Sequence, residues 1–407
     1  MVKSKAIITL LGSVSNRDFF LRLSKPFSIL GYRMDFITYN YYVYAQRRYL
    51  KDKHQVELIR KSNKTFNIDV HDSLEVLAGK LSVDQAVAAA NGVCAAAEKF
   101  TQQQLPSFIF MFNGLHIAEV ALAQWAKERN IPIRFFELAN LPGKIQIDPE
   151  GANARISLLQ DESLVCNLPP ATSNYTTWRN RYFRYCAERP FLKRSKSITS
   201  FRLEGFYNQI LGPRMGAIAM DNLSLFSRLR NKVNNRFFDR HNDAFDCGNV
   251  DYVLFPMQVG CDTQLWNNSS IQNGAGILKA VDFATKKGLG LVIKAHPKET
   301  EFKELVDAYS LAHQNGAYFV NQDIYPLIEN AKWVFTINSS VGLESRLRGI
   351  PTRVISPCIY KGLSDDQLAR FIEHYLVDID YTNSKMISVT QAESILRVGK
   401  ENYFPIG

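Results

Sequence analysis

The chain has 407 residues, 46% of them hydrophobic, 12% aromatic and 22% charged, a globular composition that excludes a disordered, collagen-like or coiled-coil protein. At ~100–200 residues per domain this length predicts two or three compact units. Lys and Arg number 49 against 39 Asp and Glu, and the formal net charge of +10 favours an anionic partner without choosing among nucleic acid, phospholipid and a phosphorylated small molecule.

Lys5–Leu11 reads as an apolar strand running into a Gly12-Ser13 turn, and Tyr32–Thr38 as a second strand. Glu75–Phe100 is helical by composition, and Ser107–Phe112 and Ile133–Leu138 are β-rich runs that bracket an amphipathic helix over Ile117–Glu128. The same grammar returns in the second half. Strands are predicted at Tyr252–Met257, Gly290–Lys294, Ala317–Val320, Trp333–Ile337 and Thr352–Ile355, with helices at Gly274–Thr285, Glu301–His313, Ile324–Ala331, Gly342–Leu347 and Asp366–His374. Alternating strands and helices predict parallel sheets covered by helices, and two such halves in one chain invite a ligand in a cleft between them.

Between the halves the composition changes. From Trp178 to Arg240 there are fourteen Lys and Arg against four acids, an excess equal to the net charge of the whole chain, interleaved with aromatics such as Trp178, Tyr182, Phe183, Phe206 and Tyr207. A basic, aromatic helical stretch fits an anionic membrane surface, a nucleic acid, or a solvated insertion whose aromatics pack on the first domain. The six cysteines are scattered with no C-x-x-C, which predicts reduced thiols in a cytoplasmic protein and no zinc site. The apolar run Ala6–Leu11 is too short for a signal h-region, and no stretch approaches ~18 uninterrupted apolar residues, so membrane contact is expected to be peripheral.

Three motifs in the second half sit at the C-terminal ends of predicted strands, the edge where open α/β sheets bind ligands. Gln258-x-x-x-Asp262-x-Gln264 places a carboxylate and amides just past a strand, where an Asp is also a common helix N-cap. Lys294-Ala295-His296-Pro297 follows the next strand, with Pro297 holding His296 extended. Asn338-Ser339-Ser340-Val341-Gly342-Leu343-Glu344 offers hydroxyls and free N–H groups at a helix N-terminus, an anion site or an ordinary Ser cap. Together a Ser-rich helix start and a His-Pro can hold one phosphate, with Glu344 placed to reach a ribose.

The trio resembles the retaining β-Kdo transferases of the capsule-polysaccharide synthesis family. Its His-Pro and Ser-Ser elements are also similar to those of bacterial sialyltransferases. In the first half, Phe112-Asn113-Gly114, Glu137-Leu138-Ala139 and Asp148-Pro149-Glu150-Gly151-Ala152-Asn153 resemble further motifs of that family, with Ala139 standing where the family has Gly. The resemblance covers roughly residues 107–160 and 250–363 and includes the Gly12 turn and the Arg47-Arg48-Tyr49-Leu50 run.

The resemblance implies a GT-B-like α/β fold of two Rossmann-type domains facing a cleft, with a basic helical insertion. The expected division is 1–177, an acceptor-side domain; 178–245, the insertion; 246–385, a CMP-sugar-binding domain; and 386–407, a helix crossing back to the first domain. It implies transfer of Kdo from CMP-β-Kdo to a glycan or lipid-linked acceptor. Retention takes two inversions, so a carboxylate must face the leaving phosphate, and the resemblance assigns that role to Asp262, with Glu137 as general acid/base or as a support for the acceptor hydroxyl. Gln258, Gln264, Lys294, His296, Pro297, Asn338, Ser339, Ser340, Gly342 and Glu344 are expected on the donor, and Gly12, Asn113, Gly114 and Asn153 on the acceptor or sugar side. No cofactor and no metal is expected, because a monophosphate leaving group held by His296 and a helix N-terminus has less need of a cation; Asp378-Ile379-Asp380, the sole D-x-D, reads as a solvated turn. The expected location is the cytoplasmic side of an inner membrane, with anionic lipid and not nucleic acid as the surface partner. The competing readings are a transferase for another CMP-ulosonic acid and a non-catalytic capsule export protein.

Overall fold

The computed structural model describes residues 5–49, 54–101, 104–139, 141–161, 163–188, 204–218, 241–260, 265, 269–297, 299 and 302–399. They fall into two compact units. One comprises the described parts of Met1–Trp178, Lys193–Asn222 and Asp366–Gly407, and the other those of Arg179–Leu192 and Leu223–Asp365. The second domain was expected to run to 385, whereas residues from Asp366 onward group with the first unit.

The first unit is built on strands β1 (Lys5–Leu11), β2 (Tyr32–Thr38), β3 (Val56–Leu58), β4 (Phe108–Phe112), β5 (Ile133–Leu138) and β6 (Ile145–Asp148), in the order β3-β2-β1-β4-β5-β6. All pairs are parallel except β5–β6. Helices α1 (Val14–Ile29), α2 (Val83–Thr101) and α3 (Ile117–Lys127) cover its faces. Ser13 starts α1, its hydroxyl accepting from Asn16 N–H at 3.1 Å, and Phe19, Phe20, Leu23 and Phe27 recur at helical spacing to meet one side of the sheet. On the other side Ala86, Ala90, Val93 and Ala97 of α2 lie against Ile8, Ile109 and Trp125. Because both faces are covered, these strands are near-continuous apolar runs rather than alternating ones.

The single helix expected over Glu75–Phe100 is broken. A short turn at Leu74–Leu77 ends before Gly79, which is left-handed at φ +64°, and α2 begins anew where Ser82 and Gln85 exchange capping bonds. The strands β3 and β6 were not anticipated. Among the described residues, β6 is paired on its outer side by a single bridge, Ile145 to Val377.

The second unit carries β7 (Tyr252–Pro256), β8 (Gly290–Lys294), β9 (Tyr318–Val320), β10 (Trp333–Thr336) and β11 (Thr352–Val354), all parallel, in the order β11-β10-β7-β8-β9. Helix α4 (Ser173–Glu188) carries the chain from the first unit into the second. There α5 (Asn273–Lys287), α6 (Phe302–Gln314), α7 (Ile324–Asn330) and α8 (Ser340–Leu347) flank the sheet. Both units are Rossmann-like, as the GT-B reading predicts, with each sheet ordered so that the chain reverses direction across it at one point: between β1 and β4, and between β7 and β10.

The last helix, α9 (Val389–Arg397), returns to the first unit, burying Ala392, Ile395 and Leu396 beside α1. The buried Arg134 guanidinium donates to the Ile395 and Leu396 carbonyls at 2.9 and 3.0 Å, satisfying acceptors that a helix end leaves open. A second anchor is Asp148, fully buried at the end of β6. Its carboxylate accepts from the N–H groups of Glu150, Gly151 and Ser157, from the Ser157 hydroxyl, and from the Tyr375 phenol.

Removing that acceptor strands several buried donors at once. Asp148→Ala should lower the unfolding free energy by about 3 kcal/mol, since each unmet buried donor costs ~1–3 kcal/mol and the losses are not additive. Urea titration should show a lower midpoint with an unchanged slope.

Candidate functional site

The site in the second unit is assembled at the reversal between β7 and β10. The Gln258 side chain, just beyond β7, donates through Nε2 to Asn338 Oδ1 at 2.9 Å, and the Asn338 backbone N–H returns a bond to Gln258 Oε1 at 3.3 Å. Both residues are buried. Asn273, at the start of α5, holds the Gln258 backbone from the other side, accepting from its N–H at 3.1 Å and donating to its carbonyl at 2.8 Å. Three strand ends are thereby locked to one another, because β8 lies on the far side of β7 with Pro256 paired to Lys294 and Met257 N–H donating to the Lys294 carbonyl.

Next to this bridge begins α8. Ser339 caps it, its hydroxyl accepting from Val341 N–H at 3.3 Å, while its carbonyl accepts from the Tyr360 phenol. Ser340 is half-exposed in the first turn, so hydroxyl and backbone N–H groups meet where the helix dipole is positive. Gly342 is required by close approach: a Cβ there would run into the buried Tyr360 hydroxyl and lie 2.9 Å from Thr336 Cγ2. Glu344, one turn on, is half-buried, and its charge, together with the larger effect of burial, raises the pKa of the Tyr182 and Tyr360 phenols.

Beyond β8, Lys294 is buried and donates to the Ala295 carbonyl at 2.6 Å and to Asn321 Oδ1 at 3.2 Å. Burial drives its pKa down from 10.5 to about 8, with Asp323 opposing the shift. His296 is half-buried and Pro297 exposed. No local pattern in the sequence marks Glu299, a buried carboxylate that accepts from Gly260 N–H at 2.6 Å and ties the loop after β7 to the loop after β8. Nor did it single out Tyr360 or Asn273, whose roles depend on tertiary contacts. Asp262 and Gln264 lie outside the described residues.

The acceptor-side candidates of the first unit also collect at strand ends. Gly12 follows β1, where a Cβ would overlap the Tyr39 hydroxyl. Asn113 and Gly114 follow β4 with φ of +64° and +86°, and a Cβ on Gly114 would lie 2.7 Å from the Phe135 ring. Glu137, near the end of β5, accepts from Leu138 N–H at 2.9 Å, and Asn153 Nδ2, itself at φ +56°, lies 3.5 Å from its other oxygen. The adjoining α3 start is held by Glu75, which accepts from His116 Nδ1 and Ile117 N–H at 2.9 Å each. Burial alone would lower the His116 pKa, but Glu119 and Glu75 raise it to about 9. Asp378 pairs with Lys144 at 2.6 Å, and Asp380 accepts from Thr382 and Asn383 in a turn, so the D-x-D carboxylates have structural partners.

Residues 171–381, just over half of the chain, match the model of the family described as capsule polysaccharide biosynthesis protein. The chain belongs to that family. The matched span contains every donor-side candidate, from Gln258 to Glu344, and none of the first-unit candidates. Among curated relatives, the capsule polysaccharide export protein KpsS of Escherichia coli is 26% identical over 269 residues, covering 59% of this chain. The chain spans 65% of the length of that relative. Two solved structures of KpsC from Thermosulfurimonas dismutans also match. Its β-Kdo 2,7-transferase has a TM-score of 0.40 and 13% identity over 96% of this chain and 98% of that one, and its β-Kdo 2,4-transferase has 0.37 and 14% over 72% and 87%. No helix among the described residues is long and apolar enough to cross a membrane.

Two outcomes follow from this geometry. Gly342→Ala should destabilise the protein by about 1–3 kcal/mol through overpacking against Tyr360, and adding Tyr360→Phe should recover part of the loss in thermal melts. For Lys294, the unfolded chain holds a proton that the folded chain releases between pH 8 and 10.5, so the cost of burying the charge, complete below pH 8, is relieved as pH rises through that window. Wild type should therefore gain stability relative to Lys294→Met across pH 8–10.5, by up to about 3 kcal/mol in denaturant titrations.

Proposed function

We propose that the protein is a retaining glycosyltransferase that moves Kdo from CMP-β-Kdo to the hydroxyl of a capsule-related glycan or lipid-linked acceptor. The observation that carries this reading is the locked reversal point between β7 and β10, where the Gln258–Asn338 bridge sets the α8 N-terminus and its two serines at the edge of a parallel sheet. That arrangement suits a phosphate monoanion. Family membership supports the capsule context.

In this mechanism His296, Ser339, Ser340 and the α8 N-terminus hold the CMP phosphate, and Glu344 takes a ribose hydroxyl. The Asp262 carboxylate attacks the anomeric carbon as the bond to the phosphate oxygen breaks, and CMP departs with the electron pair. The acceptor hydroxyl then attacks the same carbon from the vacated side. Glu137 takes its proton, and Asp262 leaves as carboxylate, so two inversions return the original configuration. No metal enters the scheme, since the leaving phosphate is met by His296 and by the hydroxyl and N–H groups already named. The reading includes peripheral attachment to an anionic membrane through the basic stretch, for which Arg181 and Arg184 on the exposed side of α4 provide charge.

A second reading, capsule export without chemistry, is favoured by the similarity to the capsule polysaccharide export protein of Escherichia coli. One experiment separates them. Wild type incubated with CMP-Kdo and no acceptor should gain a Kdo mass on the peptide carrying Asp262, and with an acceptor panel should transfer it. Asp262→Asn should cut transfer by about 10³-fold or more while CMP affinity stays near wild type, because only the covalent step is lost. No adduct, no transfer and no CMP binding would favour the export reading, and preferential use of a CMP-sialic acid donor would reassign the sugar.

A further inference from the structure

Beyond the C-terminal ends of β2 and β3, the first unit carries two arginines held by an aromatic ring rather than by acids. Arg47 follows the short helix Tyr41–Ala45, lies with its guanidinium carbon 4.0 Å from the Tyr44 ring centroid, and donates to the Tyr44 carbonyl at 3.1 Å. Arg60, two residues past β3, brings its guanidinium carbon to 5.8 Å from the same centroid. Neither pairs with a carboxylate among the described residues. The acids on neighbouring elements are engaged elsewhere: Asp18 with Arg17, Glu57 with Lys99, and Glu204 with the Asn40 side-chain amide at 2.7 Å.

Packing fixes the ring and the Arg60 backbone in place, while the Arg60 side chain is exposed. Tyr44 lies 6.3 Å from Tyr41, which stacks on Tyr207 at 6.3 Å, and the Arg60 backbone bridges Ala217. The ring contact and the bond to the Tyr44 carbonyl order the Arg47 fork, and the approach of Arg60 to the same ring limits the side-chain entropy it has left to lose. Each fork matches the oxygens of a phosphate or carboxylate, and like charges with no carboxylate partner among the described residues gain from an anion that satisfies both. The pair also stands at the sheet edge where parallel α/β units bind ligands.

We propose that Arg47 and Arg60, flanking Tyr44, form a clamp for an oxyanion, phosphate or carboxylate, carried by the acceptor. That the oxyanion belongs to an acceptor rests on the glycosyltransferase reading; that one binds here does not. This is a binding site on the first unit, separate in residues from those that would hold the donor phosphate.

The test uses the full chain labelled with ¹⁵N at the arginine Nε, with CMP at saturation so that the donor site is filled. The probes are inorganic phosphate, acetate, and vesicles of dioleoylphosphatidylglycerol or dioleoylphosphatidylcholine. Two Nε–H signals should shift saturably with an oxyanion, and Arg47→Gln and Arg60→Gln should each delete one of them and weaken binding about tenfold, the scale of a lost charge-assisted hydrogen bond. Arg47→Lys, which keeps charge but not the planar fork, should also weaken it, and Lys286→Gln on α5, where Lys286 pairs with Asp282, should not. A stronger response to phosphate than to acetate names the anion. A response to the anionic vesicles, and not to the zwitterionic ones, assigns it to a lipid headgroup; a response to free phosphate alone assigns it to a soluble acceptor. Wild-type affinity in both Gln variants, or no saturable shift with any probe, overturns the clamp. Failure of CMP to bind would instead count against the donor reading, and leaves the two arginine signals to be read on their own.

Discussion

The paired hydrogen bonds between the Gln258 side-chain amide and Asn338 are the constraint on which the candidate donor site depends. A parallel sheet whose order reverses leaves a gap between the helices that depart from the two strands at the reversal, and polar groups there lose water without gaining ladder partners. Here the Gln258 amide donates to Asn338 Oδ1 and accepts from the Asn338 backbone N–H, and Asn273 takes up the backbone groups of Gln258. Buried polar networks are stable when every member is satisfied, and costly when one is removed. Ser339 follows Asn338 directly, so the start of α8 inherits its position from that bridge.

Much of this was legible in the sequence. Nine of the eleven strands announced themselves as β-branched and aromatic runs, because both faces of a parallel sheet are covered and the signal is continuous. The Ser339 cap and the strand-end placement of Gln258, His296 and Asn338 followed from local chemistry. β3 escaped because it is three residues long, and β6 because Lys144, Gln146 and Asp148 give it a polar reading although they are buried. Tyr360 and Glu299 carry no local signal. Each acts on a loop distant in sequence, Tyr360 on the Ser339 carbonyl and Glu299 on Gly260 N–H, and only the folded chain brings them there.

The basic stretch reads differently once part of it is seen in place. Along α4, Tyr182 and Cys186 are buried, and Arg179 donates to the Leu347 carbonyl at the end of α8 at 2.6 and 3.0 Å. Arg348 lies over the Tyr182, Phe183 and Tyr325 rings. Some of the positive charge and aromatic surface thus serves packing inside the second unit, while Arg181 and Arg184 remain exposed. Residues 204–218 do the same for the first unit through Tyr207 and Ala217.

The grip of Arg134 on the carbonyls of Ile395 and Leu396 has a consequence for how the molecule is made. The Arg134 side chain on β5 completes its hydrogen bonds with residues of α9 that follow the whole of the second unit in the chain, so the first unit closes its core only after that unit has been synthesised. The sheet of the second unit, drawn from 252 to 354, needs nothing synthesised later to pair its strands. Synthesis from the N-terminus ordinarily favours folding in that order, but here the unit begun first is sealed last, and its apolar α1 face must wait exposed until α9 arrives.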